Sequence, residues 1–162
     1  MSEIANLLSD LLTINSINPD LVPGAPGEAG IAAYIADWMN SAGLEVRVEE
    51  PVPGRPNVVG IARGTGGGKA LMLNGHIDTV GVSGMTDPFR PRIEDGRLYG
   101  RGAYDMKGGL AACMMAAAAA AKHRLRGDVI VTAVMDEEYA GLGTIAIAER
   151  YRADGAIVAE ST

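Results

Sequence analysis

The sequence predicts a three-layer α/β/α sandwich built on a mixed sheet, and three observations lead to that class. Ile4, Leu7, Leu8, Leu11 and Leu12 recur at helical spacing and give one apolar face. Val129–Val134 is an unbroken apolar and β-branched run, the pattern of a strand covered on both faces. Segments of these two kinds alternate along 162 residues, a length that suits one domain with its own core.

Taken in order, Glu3–Ile14 is the first helix, and Asn18-Pro19 through Pro26-Gly27 is a loop rich in proline and glycine. A second helix is expected from about Glu28 to Ala42, with Ile31, Tyr34, Ile35 and Trp38 facing inward and Gly43 as its stop. Leu44–Glu49 alternates apolar and charged residues as a half-exposed strand does, and Asn57–Ala62 reads as another strand. Gly64-Thr65-Gly66-Gly67-Gly68-Lys69 resembles a phosphate loop only superficially. Arg63 and Ala70 occupy positions where glycine and serine or threonine are needed, and a strand follows. The segment is expected to be a hairpin connection.

The next strand, Leu71 onward, ends in Asn74-Gly75-His76, and Gly81–Pro91 is a long loop. Arg92–Tyr99 reads as a hairpin turning at Asp95-Gly96. A glycine-bracketed turn around Asp105 leads into an alanine-rich helix, Leu110–Lys122. The basic end Lys122-His123-Arg124 suits the negative pole of that helix, which makes His123 a solvated terminal residue rather than a ligand. After Val129–Val134 come a short helix, Gly143–Tyr151, and a last buried strand, Ala156–Ala159.

Composition narrows the function. With 48% hydrophobic and 21% charged residues the chain is globular rather than disordered. A net charge of −6 offers no basic footprint for nucleic acid. Cys113 is the only cysteine, so no internal disulfide forms and a reducing compartment fits. Met1-Ser2-Glu3-Ile4 lacks the positive start of a signal peptide. The longest uncharged apolar run, Leu110–Ala121, is too short to span a bilayer. The expectation is a cytoplasmic protein with neither nucleic acid nor membrane as partner.

The acids are placed where chemistry can use them. His76 and Asp78 follow one predicted strand, Glu137 and Glu138 a second, and Glu160 a third. Open α/β sheets bind ligands at such carboxyl ends. A histidine with a carboxylate close enough to fix its tautomer is a metal ligand with its supporting partner. Oxygen ligands with an imidazole suit zinc, manganese or cobalt, and a carboxylate such as Asp105 can bridge two ions about 3.5–4 Å apart. Adjacent residues in extended backbone point to opposite sides, so Glu137 and Glu138 are expected to take different roles.

Four motifs carry a resemblance: Gly75-His76-Ile77-Asp78-Thr79-Val80, Gly100–Gly109, Asp136-Glu137-Glu138 with Gly141 and Gly143, and Ile157–Thr162. In this order and spacing the chain resembles the zinc-dependent metallopeptidase and amidohydrolase family of acetylornithine deacetylase, succinyl-diaminopimelate desuccinylase, aminoacylase and glutamate carboxypeptidase. The resemblance implies that His76, Asp105 and Glu160 bind a first metal, that Asp105 bridges to a second, and that Glu138 binds the second. It makes Asp78 the partner that orients His76 and Glu137 the general base, and it implies a cis peptide bond between Asp105 and Met106. The implied reaction is hydrolysis of an amide in N-acyl amino acids or small peptides, with two zinc ions or cobalt or manganese in their place.

Members of that family are longer. They continue into a smaller lid and dimerisation domain, then return to complete the catalytic domain with a further histidine for the second metal. Residues 1–162 are thus expected to be the N-terminal portion of a catalytic domain, with an incomplete sheet, a weak second site, an exposed edge that invites self-association, and little activity alone. Two other classes stand beside the hydrolase reading. One is a non-catalytic metal-binding or interaction module; the other is a structural α/β domain whose acids are merely solvated, which predicts no specific zinc uptake.

Overall fold

The computed structural model describes residues 2–161; Met1 and Thr162, the last residue of the fourth motif, lie outside the described residues. The chain runs α1 (Glu3–Thr13), α2 (Ala29–Ser41), β1 (Glu45–Val52), β2 (Arg55–Ala62), β3 (Leu71–His76), β4 (Arg92–Glu94), β5 (Arg97–Tyr99), a π-type turn (Ala103–Lys107), α3 (Gly108–His123), β6 (Val129–Val134), α4 (Leu142–Arg150) and β7 (Gly155–Val158). Five strands form one sheet in the order β1-β2-β6-β3-β7, and β4-β5 form a separate hairpin. β1, β2 and β6 are antiparallel neighbours, whereas β6, β3 and β7 run parallel.

Side chains alternate across the sheet because the strand period is two. Val58, Leu73, Val129 and Val131 face a core closed by Leu7 and Leu11 of α1, Ile31 and Ile35 of α2, and Leu110, Met114 and Ala117 of α3. Val59, Ile61, Ile130 and Val134 face the other way, onto Ile147 of α4. The three expected layers are present. Small alanines let α3 lie close against the strands, and Cys113 is buried in that interface. None of the helices among the described residues is long and apolar enough to cross a membrane.

The helices start and stop as the sequence indicates. The Ser2 hydroxyl accepts from the Ala5 amide at the start of α1, and Gly43, at φ +85°, ends α2 in the left-handed region. The buried stripe of α2 is Ile31, Ala32, Ile35 and Met39. Tyr34 and Trp38, expected to face inward, are only half-buried on its flank, where Tyr34 donates to Asp10.

Two expectations are corrected. The glycine-rich segment 64–69 is a crossover rather than a hairpin, because β6 lies between β2 and β3. Its amides are satisfied by the neighbouring loop: Gly64 donates to Asp128, Thr65 to Leu125 and Gly66 to Arg126. The last strand is not buried. β7 occupies the sheet edge, paired among the described residues only with β3, and leaves Ile157 and Val158 more than half exposed. An apolar edge of this kind favours association.

Candidate metal centre

Three parallel strands end on one side of the sheet and deliver their following residues to one place. β3 ends at His76, β6 leads into Glu137 and Glu138, and β7 leads to Glu160. The π-type turn before α3 adds Asp105, across the peptide bond to Met106 that is cis. His76 is buried, and its Nε2 lies 3.0 Å from Asp105 Oδ1, 3.3 Å from Glu160 Oε1 and 3.7 Å from Glu137 Oε2. Oxygens of Asp105 and Glu138 and a ring nitrogen of His76 lie within 4.8 Å of one another, as do donors of His76, Glu137 and Glu160. All five residues singled out in the sequence around His76 are therefore brought together. His123 is not; it ends α3, a 16-residue helix that starts beside the site and spans about 24 Å.

The opposite nitrogen of His76 is held differently from expectation. Nδ1 lies 2.9 Å from the carbonyl oxygen of Asp78, and the Asp78 carboxylate is farther, at 3.4 Å. That carboxylate instead accepts the backbone amides of Glu137 and Glu138, both at 3.1 Å, and the Asn18 side-chain amide at 2.7 Å. The reason is local: residues 137–140 form a turn, not extended chain. The argument from alternation therefore does not apply to Glu137 and Glu138, whose amides converge on one anion while their side chains both reach the His76 cluster.

Beneath this turn lies a network that the sequence did not reveal. Asn18, Asp78, Asp136 and Glu28 are fully buried. Asn18 Nδ2 also donates to Asp136 at 3.1 Å, and Arg55 joins Glu28 through two hydrogen bonds, with Asp136 at 3.1 Å and Asp20 on its far side. Asn18 is carried there by the pairing of Ile17 with Thr79, so the proline-rich loop is a structural wall of the site. Lys107, in the second motif, is also buried; its Nζ donates to Leu11 and Ile14 carbonyls at 3.0 and 2.9 Å, which fastens the end of α1 to the π-type turn. Burial pulls its pKa down to about 7. The nearest sequence signal for the network was the Asn-Pro and Asp-Glu-Glu runs themselves, whose partners lie 60 to 118 residues away.

Electrostatics separate the residues further. Burial opposes a charge on His76, but Asp78, Asp105 and Glu137 outweigh it and carry its pKa up to about 9. Burial raises Glu137 and Glu138, with repulsion from the surrounding carboxylates adding to it and His76 opposing. For Asp78 burial also raises, yet the nearby His76 and the hydrogen bond from Asn18 leave it below its ordinary value. A buried imidazole ringed by four mutually repelling carboxylates is chemically suited to a divalent cation.

A sequence profile described as Peptidase family M20/M25/M40 matches residues 72–162, more than half of the chain. The chain belongs to that family. The N-formyl-4-amino-5-aminomethyl-2-methylpyrimidine deformylase of Bacillus subtilis is 39% identical over 149 residues, which cover 86% of this chain and 35% of that one. The succinyl-diaminopimelate desuccinylase of Leptothrix cholodnii is 36% identical over 172 residues, covering 97% of this chain and 43% of its own. Among solved structures, an M20 family metallo-carboxypeptidase from Sulfolobus solfataricus superposes with a TM-score of 0.79 at 24% identity, over 99% of this chain and 38% of that chain. The chain thus spans less than half the length of the relatives it matches.

Proposed function

We propose that residues 1–162 are the N-terminal portion of the catalytic domain of a metal-dependent amide hydrolase. The observation that carries this reading is the convergence of Asp105, Glu137, Glu138 and Glu160 on the buried His76 at the ends of three parallel strands. His76, Asp105 and Glu160 would hold a first ion and Asp105 with Glu138 a second, zinc being the default for this donor set and cobalt or manganese alternatives. When bound, the metal supplies Lewis acidity toward a carbonyl and lowers the pKa of water. Asp78 keeps the site in register, through its carbonyl to His76 and its carboxylate to the 137–138 turn.

Glu137 is the proton carrier. It is half-exposed, and its raised pKa brings it nearer neutrality than an ordinary glutamate, as a general base needs. It takes a proton from the attacking water, the water oxygen bonds to the amide carbon, and the proton passes to the leaving nitrogen as the C–N bond breaks. The substrates are amides of small molecules, N-acyl amino acids or short peptides, in keeping with the deformylase and desuccinylase relatives. The edge strand β7 would meet a partner segment or a second copy.

Among the described residues His76 is the one histidine that reaches the cluster, so the two ions should bind unequally. Calorimetric titration of metal-free protein with zinc tests this: one tight site, abolished in His76→Ala, is expected. Two equally tight sites would overturn the asymmetric assignment, and no specific binding would favour the reading in which the acids are merely solvated.

A further inference from the structure

The third motif ends in Gly143, a residue for which the hydrolytic chemistry has no use. Its partner lies far back in the chain. Asn57 belongs to β2, a strand buried throughout, and shares the face of Val59 and Ile61 that packs on Ile147 of α4. The Asn57 side chain is fully buried. Its Oδ1 accepts from the Met135 amide at 2.9 Å, and its Nδ2 donates to the Gly143 carbonyl at 2.9 Å. With a backbone donor on one side and a backbone acceptor on the other, a single orientation of the side-chain amide satisfies both.

Met135 follows β6 and Gly143 lies in the first turn of α4, so they bracket the loop that carries Glu137 and Glu138. One side chain thus ties the two ends of that loop together. The approach is close: a Cβ on Gly143 would run into the Met135 carbonyl oxygen and Asn57 Oδ1, which accounts for the glycine. Within the loop the Asp136 carbonyl accepts the amides of Ala140 and Gly141 at 3.2 and 2.6 Å. From the other side the Asp78 carboxylate holds the amides of Glu137 and Glu138. Two strands therefore fix the loop, β3 through a carboxylate beside His76 and β2 through a neutral amide. Among the described residues both hydrogen-bond partners of Asn57 are backbone groups, so its influence on the acidic cluster is geometric.

We infer that Asn57 is a positioning residue of the metal centre, closing the 136–142 loop so that Glu137 and Glu138 reach the His76 cluster. What those two glutamates do there rests on the hydrolase reading above; how their backbone is held does not. Aspartate at position 57 keeps the size and the Oδ1 acceptor but takes the donor from the Gly143 carbonyl, leaving a buried acceptor unmatched. The end of the loop at β6 then stays tied while the end at α4 is released.

The test joins amide hydrogen exchange of the metal-free protein with calorimetric zinc titration. Asn57→Asp should speed exchange of the Glu137 and Glu138 amides at least tenfold more than that of Val131, an interior amide of β6 that reports global opening. The weaker zinc event, in which Glu138 takes part, should weaken at least tenfold and the tighter one less than threefold. Asn57→Ser, which brings no charge, should give the same pattern and serves if the aspartate variant does not fold. Ile147→Ala is the control, because it removes packing from the same layer but neither hydrogen bond. It should speed all protected amides alike and keep both zinc affinities within twofold of the parent. Uniform acceleration in the Asn57 variants would overturn the proposal, as would the same local pattern in Ile147→Ala or parental zinc binding in a variant whose loop amides are released. A parent that binds no zinc would instead contradict the metal reading, and the exchange pattern alone would then decide whether Asn57 holds the loop.

Discussion

Two sets of carboxylates lie within one region of this molecule and are treated in opposite ways. The inner set, Glu28, Asp78 and Asp136, is fully buried, and each is neutralised by protein donors: Arg55, Asn18 and backbone amides. The outer set, Asp105, Glu137, Glu138 and Glu160, is half-exposed and faces His76. Burial costs a charge several kcal/mol unless it is paired, so the inner acids are compatible with folding only because their partners are built in. The outer acids keep access to water and to exchangeable cations. The difference teaches that acidity alone does not mark a site; an incomplete set of protein partners does.

The largest break in this comparison is removal of the cation that serves the inner set. Arg55→Met should destabilise the protein by about 3–5 kcal/mol, because Glu28 and Asp136 are left buried and uncompensated; denaturant unfolding reads this directly. Asn18→Ala comes next. It takes a donor from both Asp78 and Asp136, at a cost of about 1–3 kcal/mol. It should also weaken zinc binding, since Asp78 would hold the 137–138 turn less firmly. Comparable to it, Gly109→Ala drives a Cβ into the Ala159 carbonyl oxygen. The clash separates α3 from the chain leading to Glu160, at about 1–3 kcal/mol, again with weaker metal affinity.

Substitution in the outer set should behave differently. Glu137→Gln changes stability by no more than about 0.5 kcal/mol, yet any amidase turnover should fall about 10²–10⁴-fold. The smallest effect lies at the opposite end of the sheet. Hydrogen bonds from Arg63 and Arg47 hold Glu45 down at about 2, and the Gly64 amide and Arg63, against burial, lower Asp128. A depressed carboxylate stabilises the fold above its ordinary pKa, and the contribution fades as pH falls through the folded value. Glu45 should thus release Arg63 and Arg47 as pH falls from about 4.5 to 2, seen as a change in the side-chain chemical shifts of those two arginines.

Much of the outer set was legible in the sequence because its residues are unusual ones at the ends of apolar runs. His76, Glu137, Glu138 and Glu160 could be placed at one sheet edge from strand endings alone, once the strands were taken as parallel. Of the inner set only Asp78 was legible, beside His76. Asn18 read as the start of a proline-rich loop and Glu28 as a helix start, and neither reading points to a buried partner; the pairing of Ile17 with Thr79 brings Asn18 under the site, and Arg55 of β2 meets Glu28 there. The turn at Glu137 was missed because a left-handed Asp136, at φ +65°, has no sequence signature beyond the residue type. The exposure of β7 was missed because an apolar run does not say whether a neighbouring strand covers it.

The most direct measurement is the thermal unfolding of the triple variant Glu137→Gln, Glu138→Gln and Glu160→Gln beside the parent, with and without zinc. Without metal the variant should stay within about 0.5 kcal/mol of the parent, since relief of repulsion among the carboxylates offsets the lost attraction of Glu137 and Glu160 to His76. Zinc at about 100 times its dissociation constant should stabilise the parent by about 2.7 kcal/mol and the variant hardly at all. A metal-free variant as unstable as Asn18→Ala, or one that zinc stabilises as much as the parent, would contradict the division into structural and cation-binding acids.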